Sequence, residues 1–264
     1  MSKSNSPVHF KQRLQSGEAL IGTFLKTPSM MTTEVLSRTE LDVVCLDAEH
    51  APFDRADIDR CLLPLRHAGM ASLVRVQSAA PEQILNALDC GATGVVVPHV
   101  DSVEKARACA AAAKYGDRGR GYAGSTRAAG YASNSIAQNL SLNADETVVV
   151  AQIEDLAALG CIDEIAQVEG IDCLFIGMMD LTVALGAAAA DDPRVVEAAE
   201  KICCAAREAN RRIGIFVPTI DEVAFWRQRG VSLFLMASDH AFIKQGAAKL
   251  GSEVRKQFEQ VQEF

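Results

Sequence analysis

The chain has 264 residues, 49% of them hydrophobic, enough to bury a large core as one barrel-sized domain or two smaller ones, and no break in composition favours a split. Its formal net charge of −8 argues against nonspecific nucleic-acid binding, since no basic stripe faces phosphate, and leaves small molecules or further copies of the chain as expected partners. The eight cysteines show no C-x-x-C spacing and several fall in apolar runs, as expected of reduced thiols in a cytoplasm, and no stretch reaches the ~18 apolar residues of a membrane span.

Residues 1–12 open on Met1-Ser2-Lys3-Ser4-Asn5-Ser6-Pro7, lack an apolar targeting run and are expected to be frayed. Strands are then expected at Ile21–Leu25, Val43–Leu46, Leu73–Val76, Gly94–Val97, Thr147–Ile153, Cys173–Ile176, Ile213–Val217 and Leu233–Met236. These runs are apolar throughout rather than alternating, the pattern of a parallel sheet buried on both faces. One phrase precedes several of them: a helix, a Gly, two turn residues, then the strand. It is seen at Gly91-Ala92-Thr93, Gly170-Ile171-Asp172 and Gly230-Val231-Ser232, where a helix C-terminus needs a left-handed residue.

The intervening helices carry their own signals. Ile58, Leu62 and Leu65 form an apolar stripe, Pro81 suits a first helical position, and Asp191-Asp192-Pro193 precedes a helix to about Ala209. Thr219-Ile220-Asp221-Glu222 has the spacing of a capping box. About eight strands alternating with helices over this length predict a single-domain (β/α)8 TIM barrel of the α/β class, with a doubly wound open sheet as the competitor. The stretch Arg118 to Asn143, rich in Gly, Ala, Ser and Asn, breaks the rhythm and is expected to be a substrate lid or an excursion packed on a neighbouring subunit.

In a barrel the C-terminal strand ends share one face, and here they deliver many ionisable groups. Val43–Leu46 runs into Asp47-Ala48-Glu49-His50, Leu73-Val74 into Arg75, and the fifth strand into Gln152 and Glu154. Gly177 and Asp180 follow the sixth strand, and Ser238-Asp239-His240 the eighth. Glu154 and Asp180 would bring two carboxylates to one rim, which requires either a hard divalent cation such as Mg²⁺ or Mn²⁺ or an ion pair to Arg or Lys. His50 beside Asp47 offers an oriented general base, or a structural histidine. Arg75 either stabilises an enolate or carboxylate oxygen, or neutralises Asp47 or Glu49. His67 suits a helix C-terminus, and His99, at the end of the fourth strand, is open. Gly116-Asp117-Arg118-Gly119-Arg120-Gly121 reads as a flexible loop rather than a nucleotide site.

Asp47-x-Glu49-His50, Arg75, Gln152-x-Glu154 and Gly177-x-x-Asp180, with Leu88-Asp89-x-Gly91-Ala92 and Val168-Glu169-Gly170-Ile171-Asp172, resemble the HpcH/HpaI aldolases, metal-dependent class II pyruvate aldolases, from about Gly22 to Asp239. The resemblance implies reversible cleavage of a 4-hydroxy-2-oxoacid to pyruvate and an aldehyde, with Mg²⁺, Mn²⁺ or Co²⁺. It makes Glu154 and Asp180 the metal ligands, His50 with Asp47 the base, Arg75 the enolate stabiliser and Gln152 a neighbour of the metal shell. Glu49 becomes second shell, and Asp89 reaches an active site near a subunit boundary. It also implies a hexamer, a trimer of dimers that exchange a last helix, here about 241–264.

Two positions depart from that pattern: Gly177-Met178-Met179-Asp180 where the family commonly reads Gly-Pro-x-Asp, and Ala237-Ser238-Asp239 where it reads Gly-Ser-Asp or Gly-Val-Asp. Met178 and Met179 fall where backbone N–H groups of the Gly177 turn would hold the pyruvate carboxylate, so substrate size is expected to differ. Three rivals follow. One is a Schiff-base aldolase using Lys26, the Lys placed at a strand end. Another is a lyase or carbon–carbon bond-forming enzyme on an oxaloacetate-like or acyl-CoA substrate. The third is a silent barrel that binds a 2-keto acid.

Overall fold

Short apolar strands that leave no edge to solvent must either be covered or close on themselves. In this protein they close. The computed structural model describes residues 7–262, and all eight strands form one parallel barrel in sequence order, β1 pairing with both β2 and β8. In chain order the elements are α1 (Pro7–Ser16), β1 (Leu20–Leu25), α2 (Met30–Leu36), β2 (Val43–Asp47), α3 (Arg55–His67), β3 (Ala71–Arg75) and α4 (Pro81–Asp89). There follow β4 (Gly94–Val97), α5 (Val103–Ala112), α6 (Ile136–Glu146), β5 (Val148–Ile153), α7 (Leu156–Gly160), α8 (Ile162–Gln167), β6 (Cys173–Ile176) and α9 (Met178–Ala184). The chain ends with α10 (Pro193–Glu208), β7 (Arg212–Val217), α11 (Asp221–Gln228), β8 (Leu233–Ser238) and α12 (Asp239–Gln262). The open doubly wound sheet is excluded.

Side chains alternate across each strand, so the barrel has two apolar layers. Phe24, Val43, Cys45, Leu73, Val96, Val150 and Phe175 fill the inside, while Val44, Leu46, Val74, Val95 and Leu174 meet the surrounding helices. Phe10 and Leu14 of α1 join the inner layer and plug the floor. Of the start expected to be frayed, residues 7–12 are helical because Phe10 has a pocket to fill, and residues 1–6 lie outside the described residues.

Two other expectations change. The box at Thr219 does not form, because Ile220 takes the cap position and the Thr219 hydroxyl meets the Glu222 side chain at 3.1 Å instead of a backbone N–H. The second half of the 118–143 stretch is helix α6, capped by a box between Ser135 and Gln138. This stretch leaves α5 and returns to the start of β5, at the end of the barrel opposite the strands' C-termini. It is therefore not a lid over the chain's own mouth.

Candidate active site

Strand parity explains why the polar residues converge. Asp47, Arg75, Gln152 and Glu154 continue the inward-facing series of Cys45, Leu73 and Val150, one or two steps past the apolar layer. Register does the rest, since Asp47 is the direct partner of Arg75 across β2 and β3.

Asp47 is fully buried and accepts from Arg75 Nε at 3.0 Å, with Nη2 at 2.8 Å and Lys26 Nζ 3.2 Å from its other oxygen. Burial alone would raise its pKa, but Arg75, the His50 backbone N–H and Lys26 outweigh it and hold Asp47 below the usual carboxylate range. The Arg75 guanidinium lies over the Phe24 ring at 4.7 Å, a cation–π contact worth about 2 kcal/mol when desolvated. Arg75 is thus fixed from two sides with its remaining donors toward the cavity.

The Asp47-x-Glu49-His50 motif divides differently from the expectation. Asp47 accepts the backbone N–H of His50 at 3.2 Å and does not orient the imidazole. The carboxylate nearest the ring is Glu49, whose Oε2 is 3.6 Å from His50 Nε2 and 3.4 Å from Arg75 Nε. The reason is local: Asp47 is the last strand residue and closes the turn, so the ring, more than half exposed, projects beside Glu49 into the cavity. Burial raises the Glu49 pKa, Arg75 and His50 oppose that, and the neighbouring Glu154 adds to it.

Glu154 is 2% exposed and accepts from the Gln152 amide and, at 2.9 Å, from the His99 backbone N–H. No Lys or Arg among the described residues pairs with it. It lies against Gly177, where an added Cβ would come within 2.5 Å of Glu154 Cβ and Oε2. Asp180, in the first turn of α9, is exposed, lines the same cavity and forms no ion pair among the described residues.

His99 belongs to this group, as its place at the end of β4 could have indicated. Its ring Nδ1 is 3.1 Å from Asp155 and 3.4 Å from Glu154, and Nε2 is 3.8 Å from Glu49. Partial burial disfavours its protonation, but Asp155, Glu154 and Glu49 outweigh that and raise its pKa. Its backbone sits at φ 53°, a left-handed conformation that costs a non-Gly residue about 1–3 kcal/mol and persists only where surroundings impose it.

The cavity above these groups measures about 1220 Å³ and is lined by Lys26, His50, Arg75, Gln152, Gly177 and Asp180 at its polar end. Met178, Met179, Phe216, Phe225 and Trp226 give the rest its apolar wall, with Asp191, Glu197, Glu200 and Glu222 also lining it. Two expected residues do not line this cavity. Asp89 is buried at the end of α4 on Arg120, away from this chain's mouth. Asp239 accepts the backbone N–H groups of Lys26 and Thr27 at 2.7 and 3.1 Å, tying the loop after β1 to β8.

The donor set suits a cation. Glu49 Oε2 and Gln152 Oε1 are buried without a hydrogen-bond partner, and the carboxylates of Glu49, Glu154, Asp155 and Asp180 outnumber the positive charge of Arg75 and Lys26, both of which pair with Asp47, with Arg75 also 3.4 Å from Glu49. Buried oxygen lone pairs in such excess are stabilised by a hard divalent ion.

The chain is similar to known proteins over most of its length. The family model described as HpcH/HpaI aldolase/citrate lyase matches residues 20–244. A hydroxypyruvate/pyruvate aldolase of Rhizorhabdus wittichii is 32% identical over 90% of this chain and 95% of its own length. A 2-dehydro-3,6-dideoxy-6-sulfogluconate aldolase of Pseudomonas putida is 33% identical over 90% of this chain and 93% of its own. Among solved structures, an HpcH/HpaI aldolase/citrate lyase family protein from Burkholderia cenocepacia superimposes with a TM-score of 0.88 at 28% identity, covering 94% of this chain and 99% of that one.

Proposed function

The chain belongs to the HpcH/HpaI aldolase/citrate lyase family and is an enzyme of the aldolase type, and we propose that it reversibly cleaves a 4-hydroxy-2-oxoacid to pyruvate and an aldehyde with a divalent cation, Mg²⁺, Mn²⁺ or Co²⁺. The observation that carries this reading is the surplus of carboxylates, with Glu154 buried and paired to no Lys or Arg among the described residues, beside a fixed guanidinium at the barrel mouth. Glu154 and Asp180 would hold the ion, with Gln152 beside it. When bound, it supplies Lewis-acid polarisation of the keto oxygen.

The chain's own residues do the rest. The first turn of α9, at Met178 and Met179, presents backbone N–H groups that lack helical partners and can hold the pyruvate carboxylate. Arg75 receives the negative charge that develops on the keto oxygen as the C3–C4 bond breaks, and being held in place it needs no reorganisation to do so. His50, braced by Glu49, takes the 4-hydroxyl proton and returns a proton to C3 of the enolate. Asp47 acts through Arg75, keeping it aimed. The apolar wall of the cavity would receive the aldehyde half.

The same reading extends to assembly. α12 leaves the barrel with Phe242, Ile243, Leu250, Val254 and Phe258 exposed along it, and a helix with such a face is stabilised by burial against another copy, as in a hexamer of paired dimers. Light scattering showing a monomer would remove this part. No helix among the described residues is long and apolar enough to cross a membrane. The described cysteines are all free thiols, mostly buried, in keeping with a cytoplasmic enzyme.

Chelator treatment tests the reading: pyruvate release from a 4-hydroxy-2-oxoacid should vanish and return with Mg²⁺, Mn²⁺ or Co²⁺, and full activity in chelator would end the metal role. Borohydride with pyruvate addresses the Schiff-base rival. Lys26 is ion-paired to Asp47 rather than free as a nucleophile, so no reduced adduct at Lys26 is expected by mass spectrometry.

A further inference from the structure

The mouth of the barrel has two unlike halves. Strands β2, β3 and β5 bring it Asp47, Arg75, Gln152 and Glu154, whereas the contiguous strands β6, β7, β8 and β1 bring Phe175, Phe216, Ala237 and Phe24. Phe24 and Phe175 belong to the inner apolar layer, Phe216 packs against it, and the Phe24 and Phe216 rings lie 5.9 Å apart. Ser238 is polar, but its hydroxyl accepts from the Ala241 backbone N–H at 3.3 Å.

Both places where the sequence departs from the resembled pattern lie on the apolar half. Met178 and Met179 open α9 and line the cavity, with Met179 63% exposed. Ala237 stands where the pattern has Gly, and its φ of 55° is a left-handed conformation that Gly adopts without strain. The register of β8 against β1 shifts here, between Gly22 and Phe24, so that Phe24 pairs with Ser238. Each departure adds apolar atoms to the wall, and at Ala237 the backbone is strained to do so.

The outer part of the cavity carries charge of one sign. Asp191, Glu197, Glu200 and Glu222 line it; Glu200 pairs with Arg229, and the other three have no ion-pair partner among the described residues. Lys26 and Arg75, the Lys and Arg that line the cavity, both pair with Asp47. An anionic group on the acceptor would meet carboxylates there and no unpaired cation.

We propose that the aldehyde released by this enzyme bears an uncharged, ring-sized apolar substituent, and that Met179 and Ala237 set the preference for it. The inference rests on the aldolase reading above and names its acceptor. With the oxoacid half held by Arg75 and the first turn of α9, the substituent on C4 enters the apolar half of the mouth. Cleavage passes the 4-hydroxyl proton to His50 and the C3–C4 electron pair into the pyruvate enolate; a proton returns to C3, and C4 leaves as the aldehyde carbonyl.

The test compares pyruvate release by the full-length, metal-loaded protein from three 4-hydroxy-2-oxoacids whose C4 carries a methyl, a cyclohexyl or a 4-carboxycyclohexyl group. The cyclohexyl compound should exceed the methyl one in kcat/KM by about ten- to a hundredfold. It should exceed the carboxylated one by about tenfold at low ionic strength, the gap narrowing as salt screens the carboxylates. In Met179→Ser and in Ala237→Gly, the latter free of left-handed strain and expected to melt no lower than wild type, the cyclohexyl-to-methyl ratio should fall several-fold. A methyl compound cleaved as well as the cyclohexyl one, a preference for the carboxylated compound, or an unchanged ratio in both variants overturns the proposal. So does exchange of the pyruvate methyl protons without cleavage of the cyclohexyl compound, and in each of these cases the aldolase reading stands. A wild type that neither exchanges those protons nor cleaves any of the three removes the aldolase reading itself and this inference with it.

Discussion

The barrel buries the same pair at two places, and one of them faces the large cavity at the mouth. At the mouth Arg75 binds Asp47 and lies 4.7 Å over Phe24; beside α4, Arg120 binds Asp89 and lies 4.7 Å over Tyr115. Both arginines are under a tenth exposed. The difference is in what remains uncommitted. Arg75 has a second carboxylate, Glu49, 3.4 Å from its Nε and opens onto the large cavity, whereas Arg120 is closed in by its own loop. A similar ion pair thus opens onto the large cavity in one setting and is enclosed in the other, and the proposed role in the reaction belongs to the first.

Catalysis should break this symmetry most. His50→Ala, beside the Arg75 pair, is expected to slow exchange of the pyruvate methyl protons by about 10²–10⁴, with the melting temperature unchanged because the ring is largely solvent-exposed. An unchanged exchange rate would take His50 out of the chemistry. Arg75→Met should lower kcat/KM by about 10²–10³, the loss typical of one preorganised electrostatic donor, while Arg120→Met leaves turnover per folded molecule as it was. Equal losses in both variants would show that the two pairs do not differ in role. Gly177→Ala should act through Glu154, since the new Cβ would overlap Glu154 Cβ at 2.5 Å. Its expected signature is weakened metal affinity in a titration, with the fold intact.

Stability should reverse the order. Removing one partner of a buried ion pair costs about 3–5 kcal/mol because the other charge is stranded. Arg120→Met strands Asp89 with no other ion-pair partner among the described residues, whereas Arg75→Met leaves Lys26 3.2 Å from Asp47. Denaturant titration should therefore find Arg120→Met the more destabilised of the two. If Arg75→Met unfolds first, Lys26 does not compensate and the mouth is the more strained pair.

The same contrast shows what can be read from a linear chain. Strand ends were legible because apolar runs, glycine turns and parity place Asp47, Arg75, Gln152 and Glu154 on one rim without any knowledge of side-chain direction. Partner choice was not. Asp47 stands three residues before His50, yet it bonds the backbone there, and Glu49 faces the ring, because the turn after β2 reorients successive side chains. Asp89 gave no hint of Arg120, which comes from an irregular stretch after α5. His99 followed the same strand-end rule as the others. Its link to Glu154 and Asp155 rests on a left-handed backbone that no periodicity reveals. Helix α6 was hidden in a Ser- and Asn-rich stretch, although Ser135 and Gln138 have capping-box spacing.

The smallest expected effect separates two carboxylates only two residues apart. Asp47 is held below the usual range, burial being outweighed by Arg75, the His50 N–H and Lys26. Its contribution to stability is therefore complete above its ordinary value of about 3.8 and is lost as pH falls through the lower folded value. Glu49 is shifted the other way by burial, against Arg75 and His50 and with Glu154. Its contribution is complete below about 4.5 and is lost as pH rises through the raised folded value. In chelator, Glu49→Gln should accordingly melt above wild type near neutral pH, the gap closing toward about pH 4, while Asp47→Asn melts below wild type at neutral pH and approaches it only in stronger acid. A Glu49→Gln variant less stable than wild type near neutral pH would mean that Arg75 satisfies Glu49 as fully as it satisfies Asp47. The mouth would then lack the surplus negative charge that distinguishes it from the closed pair at Arg120.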